Sequence, residues 1–381
     1  MRWLMIISLA AGFIAGGCEE AFAHTPFEPR ADAPDHVVTM MGTDGVQTVQ
    51  SRIVTHRGEW TRVETEQDGR RRTQYFKRNE ATTVRIYHGR ADEYFLITVI
   101  LGPERLSLWD YEPTRTTERK TLLGESCTVW EVLRPRHPSG VLLKLTRLSC
   151  VTDDGVELWY QVASGSHLYS SAEAIRIERR AVSLADAQPP RNLLALDWWS
   201  EPPSAAEAGS PEFEVVMHSS GDDSAPRATR VVRQRGGWRY TEDMAGGSTR
   251  GRLTINNAAR GLGLRLEIDG TSAPKQLLLS RAPSPDPARS VVRMMTPQAQ
   301  GKRESVLGET CEWFDMTPGM ADAGRAACRT RDGISLKETS WSRSLPNTTF
   351  SAVQFVRRPV ALSEVMPPAS VLDPKTWGLP D

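Results

Sequence analysis

The chain is 381 residues long, with 47 Lys+Arg against 47 Asp+Glu, and is 39% hydrophobic and 25% charged. The cancelled charge excludes gripping a nucleic-acid backbone through a surplus of cations, and 11 Trp, 9 Phe and 7 Tyr are too much aromatic area for a disordered chain. At roughly 150 residues per domain, the length fits two domains or one large one.

Met1-Arg2, an apolar run from Trp3 to Ala15 and the small residues after it form the charged, hydrophobic and cleavable parts of an export signal over residues 1–23. The run is shorter than the roughly 20 apolar residues a spanning helix needs. Two processing sites compete. Ile14-Ala15-Gly16-Gly17-Cys18 resembles a lipobox, which makes Cys18 a lipidation candidate; Ala21-Phe22-Ala23 is a small-x-small site ahead of His24. Either route leads to a bacterial periplasm, soluble or anchored, and membrane association follows only if Cys18 is lipidated. A free His24 terminus is half of a copper site. The other half needs a positioned His, and His36, His56 and His88 stand in no metal-binding motif, so no metal or other cofactor is expected.

Short alternating runs then dominate. Ser51 to His56, a turn at Arg57-Gly58-Glu59, and Trp60 to Glu64 read as a hairpin, followed by another across Asp68-Gly69. Val84–Tyr87, Tyr94–Leu101 and Leu106–Trp109 continue a meander, and Leu262, Leu264, Leu266 and Ile268 alternate with polar residues as a half-buried strand. Arg70-Arg71-Arg72 flank a turn and read as a solvated face.

Sliding the chain along itself by 178 residues superimposes Trp60 on Trp238, Cys150 on Cys328, Gly155 on Gly333, Pro189-Pro190 on Pro367-Pro368 and Trp199 on Trp377. Leu123-Gly124-Glu125-Ser126-Cys127 matches Leu307-Gly308-Glu309-Thr310-Cys311 at an offset of 184, which places a six-residue difference in a loop or hairpin tip. The pattern predicts one domain built twice, at 37–199 and 213–377, joined by a Pro/Ala/Glu-rich linker at 200–212. Export leaves four cysteines in an oxidising compartment, and four allow three pairings. Duplication selects Cys127 with Cys150 and Cys311 with Cys328, each bridge worth roughly 3 kcal/mol in the chain-entropy model.

The early Gly-x-Trp-x-x-x-Glu hairpin, the Leu108-Trp109-Asp110-Tyr111-Glu112-Pro113 stretch, the Leu-Gly-Glu-x-Cys block and the closing Pro-Pro before a terminal Trp resemble the LolA/LolB-like superfamily of periplasmic lipoprotein carriers and their relatives. The resemblance covers most of each repeat. It implies a mainly β (α+β) fold: two tandem curved antiparallel sheets, or half-barrels, each with short helices on its concave side. Residues 185–196 and 363–372 are the helix candidates. It also implies an apolar cavity, for which Tyr94, Phe95, Ile97, Val99 and Leu101 in the first copy and Leu262, Leu264, Leu266 and Ile268 in the second are the candidate walls.

The chain carries no G-x-S-x-G, no H-E-x-x-H, no phosphate loop and no complete G-x-G-x-x-G. At the 178 offset no His falls on a His: His36 faces Glu214, His56 faces Gln234 and His218 faces Met40. The matched Trp, Gly, Pro and Cys are what a fold needs. The sequence therefore points to a non-enzymatic envelope protein that binds a lipid or lipoprotein acyl chain. The alternative is an interaction or regulatory module with filled cavities and an envelope protein partner.

Overall fold

A computed structural model describes residues 33–377 except 45–48, 78–81, 89–93, 102–112, 134–144, 197–210, 221–226, 270–275, 282–295 and several shorter stretches. The export signal with Cys18 and His24, and the Leu108–Glu112 stretch, lie outside the described residues. Period-two patterning makes the first half eleven strands: β1 (His36–Asp44), β2 (Val49–Arg57), β3 (Trp60–Gln67), β4 (Arg70–Lys77), β5 (Thr82–His88), β6 (Tyr94–Leu101), β7 (Pro113–Leu122), β8 (Glu125–Leu133), β9 (Leu145–Thr152), β10 (Glu157–Ser164) and β11 (His167–Arg179). The second half supplies β12 (Phe213–Ser220), β13 (Thr229–Arg235), β14 (Trp238–Met244), β15 (Arg250–Asn257), β16 (Leu262–Asp269), β17 (Gln276–Arg281), β18 (Gln298–Val306), β19 (Glu309–Asp315), β20 (Ala323–Arg329), β21 (Ser335–Ser342) and β22 (Leu345–Val356).

Within each half consecutive strands pair from β1 to β6 and from β7 to β11, and β11 returns to pair with β1. The second half repeats this order, with β22 returning to β12. The halves join where β6 pairs antiparallel with its counterpart β17: Val99 faces Leu279, Ile100 faces Leu278 and Thr98 faces Ser280. These residues lie symmetrically about the Val99–Leu279 rung, the self-complementary geometry of a two-fold interface.

The expected pair of separate half-barrel sheets is therefore corrected to one open antiparallel sheet of 22 strands. The physical reason is that β6 and β17 would each be a bare apolar edge, and an unsatisfied row of backbone donors and acceptors pairs with a like edge when one is tethered nearby. The expected helices on concave faces are corrected too. Among the described residues the α-helix is confined to α1 (Leu184–Ala187), capped by Ser183. Gln188, extended as a residue before proline must be, ends it at Pro189-Pro190. Residues 363–372 are likewise broken at Pro367-Pro368 into the 3-10 turns Leu362–Glu364 and Ala369–Val371.

These irregular segments act as straps. Residues 180–196 and 357–377 cross the central strands and bury Leu193, Leu196, Val360, Val365 and Val371 against Tyr75, Val84, Val99, Leu101, Trp238, Ile255, Leu264, Leu277 and Leu279 in the largest core. Each such side chain contributes about 1.5–3 kcal/mol on burial. Both straps are held alike: the Arg57 guanidinium donates to the Val182 carbonyl, and Arg235 donates to the Val360 carbonyl at 2.8 Å. The Val182 amide donates to Asp35 at 3.1 Å, and the Val360 amide to Glu212 at 2.8 Å.

On the opposite face the outer strands hold smaller cores, one around Val38, Met40, Leu158 and the Cys127–Cys150 bridge, and two around Phe213, Val215, Leu336 and the Cys311–Cys328 bridge. The bridges are the pairs that duplication selects. Register also amends the first strand's alignment. Met40 faces Arg52 as Met217 faces Arg230, so β1 and β12 correspond at an offset of 177, and His36 stands opposite Phe213 rather than Glu214, with His218 opposite Met41.

Candidate functional site

Five of the nine candidate cavity walls share one sheet face. Val99, Leu101, Leu262, Leu264 and Leu266 are all buried in the central core beneath the straps. Tyr94, Phe95 and Ile97 are placed on β6 and Ile268 on β16, but their side chains lie outside what is described. Segments of the same chain cover the described part of this face. The indole Nε1 of Trp238 in this core is buried and has no hydrogen-bond partner among the described residues.

The last strands at either end, β7 and β18, are blunted as edges. β18 runs Gln-Ala-Gln-Gly-Lys-Arg-Glu-Ser-Val with nearly every residue exposed, and both strands are bulged, between Arg115 and Arg119 and between Ala299 and Arg303. Charge and bulges discourage strand addition. The turns that lead out of these strands do the opposite. Leu122 pairs with Glu125 and Val306 with Glu309, leaving two-residue loops in which Leu123 and Leu307 have φ 54°, followed by Gly124 at 80° and Gly308 at 82°. This is a type I′ turn, whose first position favours Asn, Asp or Gly. A leucine there is strained by roughly 1–2 kcal/mol, and it hides no surface in return, since Leu123 is 49% and Leu307 53% exposed.

Each tip is pinned. The Arg179 guanidinium donates to Glu125 and to Asp154, and Thr152 donates to Asp154. Arg357 donates to Glu309 at 2.7 Å and to Asp332 at 3.2 Å, with Thr330 donating to Asp332. In the first pin burial opposes ionisation of Asp154, yet the Thr152 hydroxyl and the Arg179 guanidinium hold its carboxyl below the usual range. Leu307→Asn is expected to stabilise the fold by about 0.5–1 kcal/mol, because Asn tolerates the left-handed conformation. Urea denaturation checks this; an unchanged or lower midpoint would contradict it.

A second constellation lies on the opposite face. Arg52 and Arg147 close on Glu157 at 3.3 and 2.7 Å, Ser149 donates to it at 2.7 Å, and both guanidiniums sit over the Tyr160 ring at 5.2 and 5.0 Å. In the second half Arg230 and Arg325, which align with Arg52 and Arg147 at 178, close on Glu338, each at 2.7 Å. Glu338 aligns with Tyr160, and Glu157 with Ser335, so the carboxylate has moved along the strand while the two arginines kept their places. A matching irregularity in β10 and β21 accompanies the move. Both contacts reach across two intervening strands, β1 with β11 and β12 with β22, so the outer sheet curls toward this face. Burial opposes ionisation of both carboxylates, yet the arginine charges hold each below the usual range.

His36 and His56 are buried beside this face and stack at 5.0 Å, with the His36 Nδ1 against the Pro34 carbonyl at 2.9 Å. Desolvation lowers the His36 pKa below its ordinary value, against the Pro34 hydrogen bond and Asp154. The unfolded chain therefore takes up this proton first. Stability is complete above the ordinary histidine range and falls as pH drops through about 6.5. The urea midpoint is expected to decline from pH 8 to pH 5, and less steeply in His36→Gln; a flat wild-type profile would contradict this. Among the described residues no group of three or more His, Cys, Asp or Glu could hold a metal ion.

Sequence reasoning missed the tips as a site, although Leu-Gly-Glu at both positions was visible, because it assigned the block to strands. It missed the arginine clasps because the paired carboxylates do not align.

No family model matches the chain, and no curated protein does. Among solved structures it is similar to the Pseudomonas aeruginosa MucA/MucB complex, at 13% identity over 66% of this chain and 88% of that one, with a TM-score of 0.28. A crystal structure of MucB with MucA(peri) gives 11% identity, 66% and 89% coverage and a TM-score of 0.27. An uncharacterized conserved protein from Thermus thermophilus gives 10% identity, 43% and 90% coverage and a TM-score of 0.29. Similarity at this level is distant, and the chain as a whole does not superpose on any of the three.

Proposed function

We propose that the chain is a non-enzymatic protein of the bacterial envelope, one domain built twice, that docks another envelope protein through the hairpin tips bearing Leu123 and Leu307. The observation that carries this is the doubled, exposed leucine in a strained backbone conformation, held by an arginine pin at each end of the sheet. Strain retained without a packing return is expected where a surface is kept for binding. Two disulfides in the described residues suit an oxidising compartment such as the periplasm.

A lipid or lipoprotein acyl chain is the second reading. The partnerless Trp238 Nε1 on the apolar face favours it, since an acyl carbonyl would accept that hydrogen bond. The straps weigh against it, because they already occupy the face where Val99, Leu101 and Leu264 lie. Native mass spectrometry of the full chain taken from the envelope tests the choice. A stoichiometric protein partner that is lost in Leu123→Asp/Leu307→Asp supports the docking reading; a chain arriving with an acyl ligand and no protein partner overturns it.

A further inference from the structure

The two tips share their turn and their arginine pin but differ in the charges beside them. At the first tip Arg119 lies 3.7 Å from Asp153, and both side chains are well exposed. At the aligned places of the second tip stand two cations, Arg303 and Arg331, both exposed. Neither makes a hydrogen bond or ion pair among the described residues. The acids around them are committed elsewhere. Glu309 and Asp332 accept from Arg357, and Glu312 stands opposite both Arg303 and Arg329 in the register. Arg303, Arg329, Arg331 and Arg357 thus outnumber Glu309, Glu312 and Asp332 by one, whereas at the first tip Arg119 and Arg179 fall one short of Glu125, Asp153 and Asp154. Lys120, over the Trp159 ring at 3.5 Å, at most balances the first tip, and Glu304 is matched by Lys337 at 2.8 Å in the second. Arg331 lines an open hollow of about 700 Å³ beside the Leu307 turn, together with Gly308, Thr310 and Arg357.

We propose that the second tip is specific for an acidic segment of a partner protein, with an apolar side chain against Leu307 and a carboxylate at Arg331 in the hollow. The inference rests on the docking reading above and adds the chemistry of the partner. Leu307 is 53% exposed and supplies the apolar contact, and the Arg331 guanidinium is a fork that a carboxylate matches with two parallel hydrogen bonds. In the free chain water solvates Arg331. A partner that covers Leu307 and the hollow removes that water, and a cation desolvated without an acid is costly. A segment lacking a carboxylate at this place is therefore rejected, which is how a charge beside an apolar anchor gives specificity. The first tip makes no such demand, because Asp153 there already pairs with Arg119.

The first half supplies the test variant, because Arg331→Asp installs the residue that the aligned turn already carries. Photo-crosslinking of the full chain in intact cells reads the site, with the photoreactive residue at position 307 and, as the internal control, at position 123. Arg331→Asp is expected to lower the adduct yield at 307 about fivefold and to leave the yield at 123 unchanged. Arg331→Lys keeps the charge and is expected to retain most of the adduct. Mass spectrometry of the adduct formed at 307 with Arg331 intact identifies the partner peptide, so the test does not depend on how the variants fold. That peptide is expected to carry Asp or Glu within about three residues of the attachment point, the reach of an extended segment across the hollow. A peptide without such an acid, or an adduct at 307 indifferent to Arg331→Asp, would overturn the inference and leave the docking reading in place. No adduct at either position, or one joined to a second copy of this chain, would overturn the docking reading and this inference with it.

Discussion

Glu338→Gln is expected to cost the fold about 3–5 kcal/mol, the range for removing one partner of a buried ion pair. The Glu338 side chain is only 6% exposed and takes both Arg230 and Arg325 at 2.7 Å. Without it Arg230 keeps Asp243, while Arg325 loses its ion pair. Glu157→Gln should also destabilise, since it removes the carboxylate that Arg52 and Arg147 share. Urea denaturation of the two variants, each against wild type, measures both. An unchanged midpoint in either variant would contradict the expected loss.

The second large effect concerns the junction. Leu279 is fully buried, faces Val99 across the β6–β17 rung and packs in the core shared by both halves. Leu279→Ala is expected to cost about 2–5 kcal/mol. A double-mutant cycle with Val99→Ala is expected to show a coupling energy of about 0.5–3 kcal/mol, as residues in contact do, whereas independent sites add. Additivity would mean that the halves are separate bodies and that the continuous sheet is wrong.

Much of the strand pattern was legible because period-two alternation is a local property: Leu262 to Asp269 reads as a half-buried strand, and that is β16. The bridges were legible because rare residues such as Cys150 and Cys328 hold the offset. Three things were not. The β6–β17 join is set by which edges meet in space, and no residue of Tyr94–Leu101 announces its partner. The straps read as short helices over Ala185 to Leu196 and Ser363 to Leu372, yet Pro189-Pro190 and Pro367-Pro368 break them. The one-residue shift of β1 against β12 hides in conservative apolar residues, where Val38 can be laid on Val215 or Val216 with equal ease and only pairing to Arg52 and Arg230 decides. For the site, the turn leucines were visible, but their positive φ follows from the two-residue loop length that register alone fixes.

The claim that the sheet is a scaffold for two docking tips is tested most directly by photo-crosslinking in intact cells, with a photoreactive residue at position 123, at position 307, and at Val353, an exposed apolar residue on β22, as the control. The expected result is a discrete protein adduct from each tip and none from position 353. Tips that yield no protein adduct, or no more than position 353 does, would contradict it.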